Sequence, residues 1–234
     1  PTGIQYNITG TVSDEFITKV TRAVAELPKE ARKILNDNNF EIRLGRRVTE
    51  IDPSLKGVTP RGWAEGKTWD MAEGFFHEAD GVRYAAVAEE VLDYWNPSKG
   101  FYKVGTNRLD NVVKHELGHA VDDLEKVRSG KRFANSKEFL KAYDDDVANL
   151  APLDSALVKQ HEYFLQRGVA GRQETFAEII AEMAHSSSSK MQVVFPRSYK
   201  LVDGVFGKKA VKKVKKVVDE VDEIPDDSVT IFSA

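Results

Sequence analysis

Residues 107–126 read NRLDNVVKHELGHAVDDLEK and predict a long amphipathic helix. Its apolar side chains recur at steps of three and four residues and would form one buried stripe: Leu109, Val112, Val113, Leu117, Ala120, Val121 and Leu124. The pentapeptide HELGH at 115–119 lies inside this helix. Because an α-helix takes about 3.6 residues per turn, His115 and His119 project from the same side, one turn apart.

Two imidazoles one turn apart can bind the same metal ion, and Zn²⁺ is the expected one, with one ion per chain. Glu116 lies on the neighbouring face of the helix. It is predicted to act as the catalytic base, taking a proton from a metal-activated water and returning it to the leaving amine. The alternative is a pair of solvated helix histidines, but with only 5 His in the chain a chance HExxH is expected at a level of about 0.01.

A third metal ligand has to come from outside this pentapeptide, because the residues after His119 lack the second histidine extension of the metzincins. The segment QETFAEIIAEMAH at 173–185 predicts another helix, with Glu174 and Glu178 one turn apart. Either glutamate can bind the metal while the other holds a ligand histidine in place. Asp122 and Asp123 follow His119 by one turn; we predict that Asp122 orients an imidazole, although either acid can equally be a solvated helix residue.

Composition excludes several other classes of function. The 234 residues contain no cysteine, which rules out disulfide frameworks, thiol catalysis and cysteine zinc sites. A net charge of −3 gives no overall electrostatic basis for binding nucleic acid. No apolar run reaches the roughly 18–20 residues of a membrane span, so no transmembrane segment is expected. The chain begins at Pro1 without a signal peptide; we expect a mature or excised segment, and a monomer.

The remaining pattern predicts an α+β domain over residues 1–234. Helices are expected in 14–38, near 136–147 and at 173–185, strands at 40–44, 82–88 and 101–105, and a loop at 52–74. The end of the chain, 207–234, is a charged tail in which the basic run 208–216 is followed at once by acidic residues. We expect a solvated surface segment there rather than a lipid or nucleic-acid patch, because the opposite charges cancel within about a Debye length.

Three segments resemble a known family. HELGHAVDD at 115–123 is similar to the zinc helix of the anthrax lethal factor-like metallopeptidases, which include the secreted Pro-Pro endopeptidases of Gram-positive bacteria. ETFAE at 174–178 is similar to the family's E-F-F-A-E segment. LKGVTPRGWAEGKTWDMAEG at 55–74 is similar to a stretch of the Pro-Pro endopeptidases. The resemblance covers about residues 28–206 and leaves the charged tail out.

The resemblance implies a zincin-like fold of gluzincin type, with a small mixed sheet, an HExxH active-site helix and a helical C-terminal part. It assigns the third zinc ligand to Glu174 and leaves Glu178 in a supporting position. It also implies that Trp63 lines the substrate groove, where a flat indole packs well against proline rings; the alternative is a loop-anchoring role. We expect the backbone of the 82–88 strand to bind the substrate chain by strand addition.

The chain departs from the family at two places. The family has a catalytic tyrosine seven residues before the third ligand, where it donates to the developing oxyanion. Arg167 occupies that position here, and the nearest tyrosine is Tyr163. We predict Tyr163 for this role, with His161 and Arg167 as alternatives. The glycine-rich loop of the Pro-Pro endopeptidases has no counterpart in residues 75–84, which leaves cleavage between two prolines open.

The predicted function is therefore that of a zinc-dependent endopeptidase acting on a protein or peptide substrate, with a proline-rich substrate as one option. The resemblance implies a protein that is secreted or delivered as a toxin domain. The alternative is a catalytically degenerate lethal factor-like domain that only binds a partner.

Overall fold

The computed structural model describes residues 3–61, 63–79, 81–150, 162–166, 168–184, 189–207 and 230–233. His161, Arg167 and the basic run 208–216 lie outside the described residues. The chain divides into two compact units. The first comprises Pro1–Ala25, Asn36–Glu116 and Asp227–Ala234, and the second Glu26–Leu35 and Leu117–Asp226. The prediction of one domain over 1–234 stays a prediction.

The first unit contains a five-stranded mixed sheet, as predicted for the fold class. Its strands are β1 (Gln5–Thr9), β2 (Glu41–Gly45), β3 (Gly74–Ala79), β4 (Val82–Ala88) and, at the end of the chain, β7 (Thr230–Ser233). The strand order is β3-β4-β2-β1-β7. The pairs β1–β2, β1–β7 and β2–β4 are parallel, and β3 runs antiparallel to β4.

Alternating side chains build the apolar face of this sheet. Tyr6 pairs in register with Ile42, and Leu44 with Val87, and all four side chains are buried. Helix α1 (Asp14–Glu26) buries one stripe formed by Phe16, Val20, Ala23 and Val24, as its helical spacing predicts. A short helix, α3 (Val48–Ile51), follows β2.

The expectation that β4 binds substrate by strand addition is wrong. β4 pairs with β2 on one side and with β3 on the other, so its backbone groups already serve the sheet. Within the part of the sheet that the structure describes, β3 has a neighbour on one side only. Strand β3 was not predicted, because its residues GFFHEA lack a clean apolar–polar alternation.

The predicted loop at 52–74 carries two short 3-10 turns, Pro53–Leu55 and Trp69–Met71. A separate two-stranded hairpin follows β4 and consists of β5 (Glu90–Leu92) and β6 (Phe101–Lys103). Helix α4 (Thr106–Ser129) comes next and covers the predicted helix at 107–126. Its residues up to Glu116 belong to the first unit and those from Leu117 onward to the second.

The second unit is helical, as predicted for the C-terminal part. Its helices are α2 (Lys29–Asp37), which begins in this unit, α5 (Lys137–Leu150), α6 (Val169–Met183), α7 (Lys190–Val194) and α8 (Pro196–Phe206). Four phenylalanines pack edge-to-face or tilted at its centre: Phe133, Phe139, Phe176 and Phe206. Among the described residues, no helix is both long enough and apolar enough to cross a membrane.

Candidate metal centre

Helix α4 sets the position of both motif histidines. Leu117, Ala120 and Val121 are fully buried, so the face of the helix that carries them is fixed against apolar neighbours. His115 and His119 lie at the edge of that buried face and are partly exposed. Their imidazoles therefore sit one turn apart on a helix whose rotation is set by packing.

Helix α6 sets the position of Glu174. Thr175, Phe176 and Ala177 are fully buried, which leaves Glu174 at the border of the packed face. Its Oε2 lies 3.3 Å from Nε2 of His119. One ligand atom from each of His115, His119 and Glu174 lies within 4.8 Å of the other two. The folded chain thus brings together the three residues that were predicted as metal ligands.

This donor set suits Zn²⁺. Two imidazole nitrogens and one carboxylate oxygen are a ligand combination of catalytic zinc sites, which keep one coordination position for water or substrate. With metal–ligand bonds of about 2.0–2.2 Å, tetrahedral ligand atoms lie roughly 3.4 Å apart. The ligand atoms of the three residues lie within 4.8 Å of one another, so small changes in side-chain torsion angles would bring them to this separation. The three side chains are partly exposed, so solvent and a substrate can reach them.

A close approach of two helices allows this geometry. A Cβ atom added to Gly118 would lie 2.7 Å from both the Cα and the carbonyl oxygen of Ala177. Any larger residue at position 118 would therefore push α6 away from α4. Gly118 lies next to His119, and Ala177 lies three residues after Glu174, so the contact controls the separation of the two ligands.

Glu116 points from α4 toward the beginning of β3. A Cβ atom added to Gly74 would lie 3.5 Å from Cγ of Glu116 and 2.9 Å from Cγ1 of Val112. The absence of a side chain at Gly74 lets this strand pass directly beside the helix. Glu116 is partly buried there and is adjacent in sequence to His115; its role as the proton-transfer group stays a prediction.

Asp122 and Asp123, three and four residues after His119, are both fully buried. Asp122 accepts a hydrogen bond of 2.9 Å from the backbone N–H of Ala134, and its other oxygen lies 3.9 Å from the Arg132 guanidinium. Arg132 also pairs with Asp123 at 2.6 Å. Burial raises the pKa of Asp122 to about 6, although the hydrogen bond from Ala134 and the charges of Arg132 and His119 oppose the rise. A role for Asp122 in orienting His119 stays a prediction.

Two other predicted site residues lie near helix α6 in sequence. Glu178 is partly buried one turn after Glu174, in the position expected of a supporting residue, and its role stays a prediction. Tyr163 lies in a single 3-10 turn, Glu162–Leu165, and its side chain is 55% exposed. The buried Tyr143 holds this turn by donating a hydrogen bond of 2.6 Å to the carbonyl of Phe164. The alternatives to Tyr163, namely His161 and Arg167, lie outside the described residues.

Trp63 lies in an aromatic cluster of the first unit. Its ring stacks on Trp69 at a centroid distance of 6.5 Å and meets Tyr94 edge-on at 6.4 Å. Trp69 in turn contacts Phe75 of β3 at 5.1 Å. Trp63 remains 40% exposed, so its ring is anchored by neighbours and still has a free surface. This leaves both the substrate-binding and the loop-anchoring interpretation in place.

Two basic residues that form ion pairs with acids of helix α4 were not predicted from the sequence. Arg132 lies outside the motif and had no spacing signal, yet it pairs with the acids that follow His119. Lys114, next to His115, is fully buried and forms an ion pair of 2.8 Å with Asp110, one turn earlier on α4. The i,i+4 spacing of Lys114 and Asp110 was a visible signal for this pair.

An α+β domain with an HExxH helix and a glutamate from a following helix has the architecture of the zincin-like proteins. The family described as "Anthrax toxin lethal factor, N- and C-terminal domain" matches residues 6–205. The chain therefore belongs to this family, which confirms the resemblance. It is similar in structure to the Pro-Pro endopeptidase (PPEP-2) from Paenibacillus alvei, with a TM-score of 0.55, 20% identity, and coverage of 86% of this chain and 97% of that one. No curated protein sequence matches the chain.

Proposed function

We propose that this protein is a zinc-dependent endopeptidase. The observation that carries the proposal is the group of His115, His119 and Glu174, whose ligand atoms lie within 4.8 Å of one another. Glu116 stands between the two histidines in sequence and supplies the base that hydrolysis needs. The structural relative from Paenibacillus alvei is a Pro-Pro endopeptidase, which supports peptide hydrolysis as the reaction.

The three ligands would hold the ion and leave a position for the reaction. When bound, Zn²⁺ supplies a Lewis acid that acidifies water and polarises a carbonyl. Glu116 then accepts the proton of the attacking water on its carboxylate and delivers it to the nitrogen of the leaving amine. One carboxylate thereby serves as base and afterwards as acid, as the predicted assignment requires.

The developing oxyanion needs a hydrogen-bond donor. We assign this part to Tyr163, whose hydroxyl is a donor on an exposed turn just before α6. The hydrogen bond from Tyr143 to Phe164 supports this turn from inside the second unit. Replacement of Tyr163 by Phe should lower kcat by roughly 10- to 1000-fold with KM little changed, whereas an unchanged kcat would move the role to His161 or Arg167.

For the substrate, we propose an extended protein or peptide segment, with proline-rich sequences as the first to test. The partly exposed Trp63 ring supports this choice, because an indole face packs well against a proline ring. Since β3 has a neighbour on one side only in the described sheet, strand addition would occur there and not at β4. A secreted or toxin-delivered protein agrees with such a substrate, and we propose the monomer as the active form.

The experiment is a cleavage screen of the purified protein against a peptide library that includes Pro-Pro sequences, read by mass spectrometry. Glu116→Gln should retain zinc and lose about 10²–10⁴-fold in kcat/KM. Glu138→Gln, a change at an exposed glutamate of α5, serves as the matched control and should cleave normally. Cleavage that survives both chelation and Glu116→Gln would refute the proposal. A protein that binds one zinc but cleaves no peptide would instead favour the partner-binding domain.

A further inference from the structure

The hairpin β5–β6 of the first unit carries an unusually exposed aromatic surface. Trp95, in the connection between the two strands, is 89% exposed, and Phe101 and Tyr102 on β6 are exposed as well. A tryptophan side chain that is almost entirely exposed to water buries little of its large apolar area. An exposed aromatic surface therefore indicates an interaction site.

This surface is continuous with the loop that carries Trp63. Tyr94 meets Trp95 edge-on at a centroid distance of 5.1 Å and Trp63 at 6.4 Å. The Lys67 ammonium lies 3.2 Å from the centroid of Tyr94 and donates a hydrogen bond of 2.9 Å to its carbonyl. We call Trp63, Tyr94 and Trp95 the aromatic ridge.

The connection between the strands is built to hold Trp95 outward. One oxygen of Asp93 accepts hydrogen bonds from the backbone N–H groups of Trp95 and Asn96, at 2.8 and 2.9 Å. The Asp93 N–H donates to the carbonyl of Gly100 at 3.2 Å, which closes the turn. The exposed position of Trp95 is therefore ordered, and little conformational entropy would be lost when the ring is buried by a partner.

The two sequence segments that carry the ridge residues differ in net charge from the whole chain. Residues 55–67 and 93–103 together contain five cationic and two anionic side chains, whereas the chain has a net charge of −3. The cations are Lys56, Arg61, Lys67, Lys99 and Lys103, of which Lys103 is paired with Glu89. An aromatic ridge flanked by lysine and arginine is complementary to an anionic surface that has an apolar layer beneath it.

The ring orientations favour a lipid surface over a linear polymer. Stacking of successive bases uses aromatic ring faces that are open to the ligand. Here the interplanar angles are 76° between Trp63 and Tyr94 and 74° between Tyr94 and Trp95, so the ridge offers edges and faces in alternation. An interfacial layer of lipid accepts aromatic rings in any such orientation, because burial of apolar area there is not directional.

We propose that the aromatic ridge binds the surface of an anionic lipid bilayer, with Trp95 entering the interface and the surrounding cations contacting the headgroups. The contact is peripheral and is made by exposed side chains. It goes beyond the proposed hydrolysis: the metal-ligating residues take no part, and although Trp63 is shared with the proposed substrate contact, the test is made at Trp95, which the hydrolysis does not use.

The test is co-sedimentation of the full chain with large vesicles of phosphatidylcholine, alone or mixed with phosphatidylglycerol. We expect selective partition into the anionic vesicles, a loss of about tenfold or more in Trp95→Ser, and a comparable loss in the double variant Lys56→Glu with Lys99→Glu. Raising the salt to about 0.5 M should weaken partition several-fold. Thermal unfolding checks that both variants remain folded.

The matched control is Val193→Ser, which removes an apolar side chain that is 79% exposed on α7 of the second unit. It should change the partition coefficient less than about twofold. Absence of binding by the unaltered chain, or equal losses in Trp95→Ser and Val193→Ser, would overturn the proposal. Trp95-dependent retention on an insoluble polysaccharide without binding to vesicles would also overturn it and assign the ridge to a sugar ligand.

Discussion

Two partly or fully buried carboxylates, Glu89 in the first unit and Asp122 in the second, have pKa values shifted in opposite directions. In the first unit, burial raises the pKa of Glu89, but hydrogen bonds from Ser13 and Lys103 outweigh it and lower the pKa overall. In the second unit, burial raises the pKa of Asp122 to about 6, and Arg132 and Ala134 offset it only in part. Hydrogen bonds thus favour the ionised form of Glu89. Burial disfavours the ionised form of Asp122, which lies three residues after the proposed metal ligand His119.

The difference indicates where a cation belongs. A buried carboxylate whose ionised form is disfavoured gains from any positive charge placed nearby. Zn²⁺ held by His119 and Glu174 would provide such a charge and would favour the ionised form of Asp122. Four sets of variants test this contrast between the units, in order of decreasing effect.

The largest effect is expected from histidine replacement. His119→Ala should abolish stoichiometric zinc binding, because it removes one of three protein ligands. His77→Ala is the counterpart in the first unit, where the imidazole stacks on Tyr84 at 4.7 Å, and it should leave zinc content unchanged. Elemental analysis after dialysis measures both. Loss of zinc in His77→Ala but not in His119→Ala would contradict the ligand assignment.

Two glycines in close contact allow a second test. Gly118→Ala should weaken zinc binding by about 10- to 100-fold and cost about 1–3 kcal/mol of stability, because the new methyl group meets the backbone of Ala177. Gly74→Ala, in the first unit, meets Val112 and the carbonyl of Ala86 at 2.9 and 2.8 Å and should cost a similar amount while zinc affinity is retained.

Zinc titration by competition with a chelator, together with urea unfolding, separates affinity from stability for these two variants. Equal losses of zinc affinity in Gly118→Ala and Gly74→Ala would show that the close approach of α4 and α6 does not set the ligand geometry.

The third prediction concerns pH. The folded pKa of Asp122, about 6, lies above its ordinary value of 3.8, so the native state holds this proton more tightly than the unfolded chain. Its contribution to stability is therefore full below pH 4 and is lost as the pH rises through about 6. In zinc-free protein, wild type should lose up to about 2–3 kcal/mol relative to Asp122→Asn between pH 4 and pH 7.5.

Urea unfolding across this pH range measures the effect, and added zinc should reduce it. Glu41→Gln in the first unit should show the opposite dependence of stability on pH. Burial raises the pKa of Glu41, but hydrogen bonds from Arg43 and Asn7 lower it overall below 4.5, so its stabilising contribution is lost only as the pH falls through that lowered value. If stability relative to wild type changed with pH in the same direction for Asp122→Asn and Glu41→Gln, the contrast between the two carboxylates would be contradicted.

The smallest effect is expected at Trp63. Trp63→Ala should raise KM for a cleaved peptide by about tenfold and leave zinc content unchanged, because the partly exposed ring offers contact area to the substrate and none to the metal. Trp63→Phe should recover most of the loss. A change in thermal stability with no change in KM would support the loop-anchoring role through Trp69 and Tyr94.

Much of the fold could be predicted from local pattern. The helix at 107–126 follows from its apolar stripe, and the structure extends it to Thr106–Ser129. The strand β2 and helix α1 were predicted for the same reason. Strands β1 and β3 were not assigned: the residues of β3 lack a clean apolar–polar alternation, and the place of each strand in the sheet depends on neighbours far away in sequence. The strand-addition expectation at β4 failed for that reason, since only the strand order shows that β4 lies between β2 and β3.

The residue types and their spacing along the chain are enough to identify the side chains that can do the chemistry. The spacing of His115, Glu116 and His119 on a helix follows from the pitch of that helix, and the choice of a histidine pair with a carboxylate follows from ligand chemistry. Three contacts are visible only in the folded chain: Glu174 lies 3.3 Å from His119, Arg132 pairs with Asp123, and Gly118 packs against Ala177. These distances arise from the packing of segments remote in sequence, and periodicity along one segment carries no information about them.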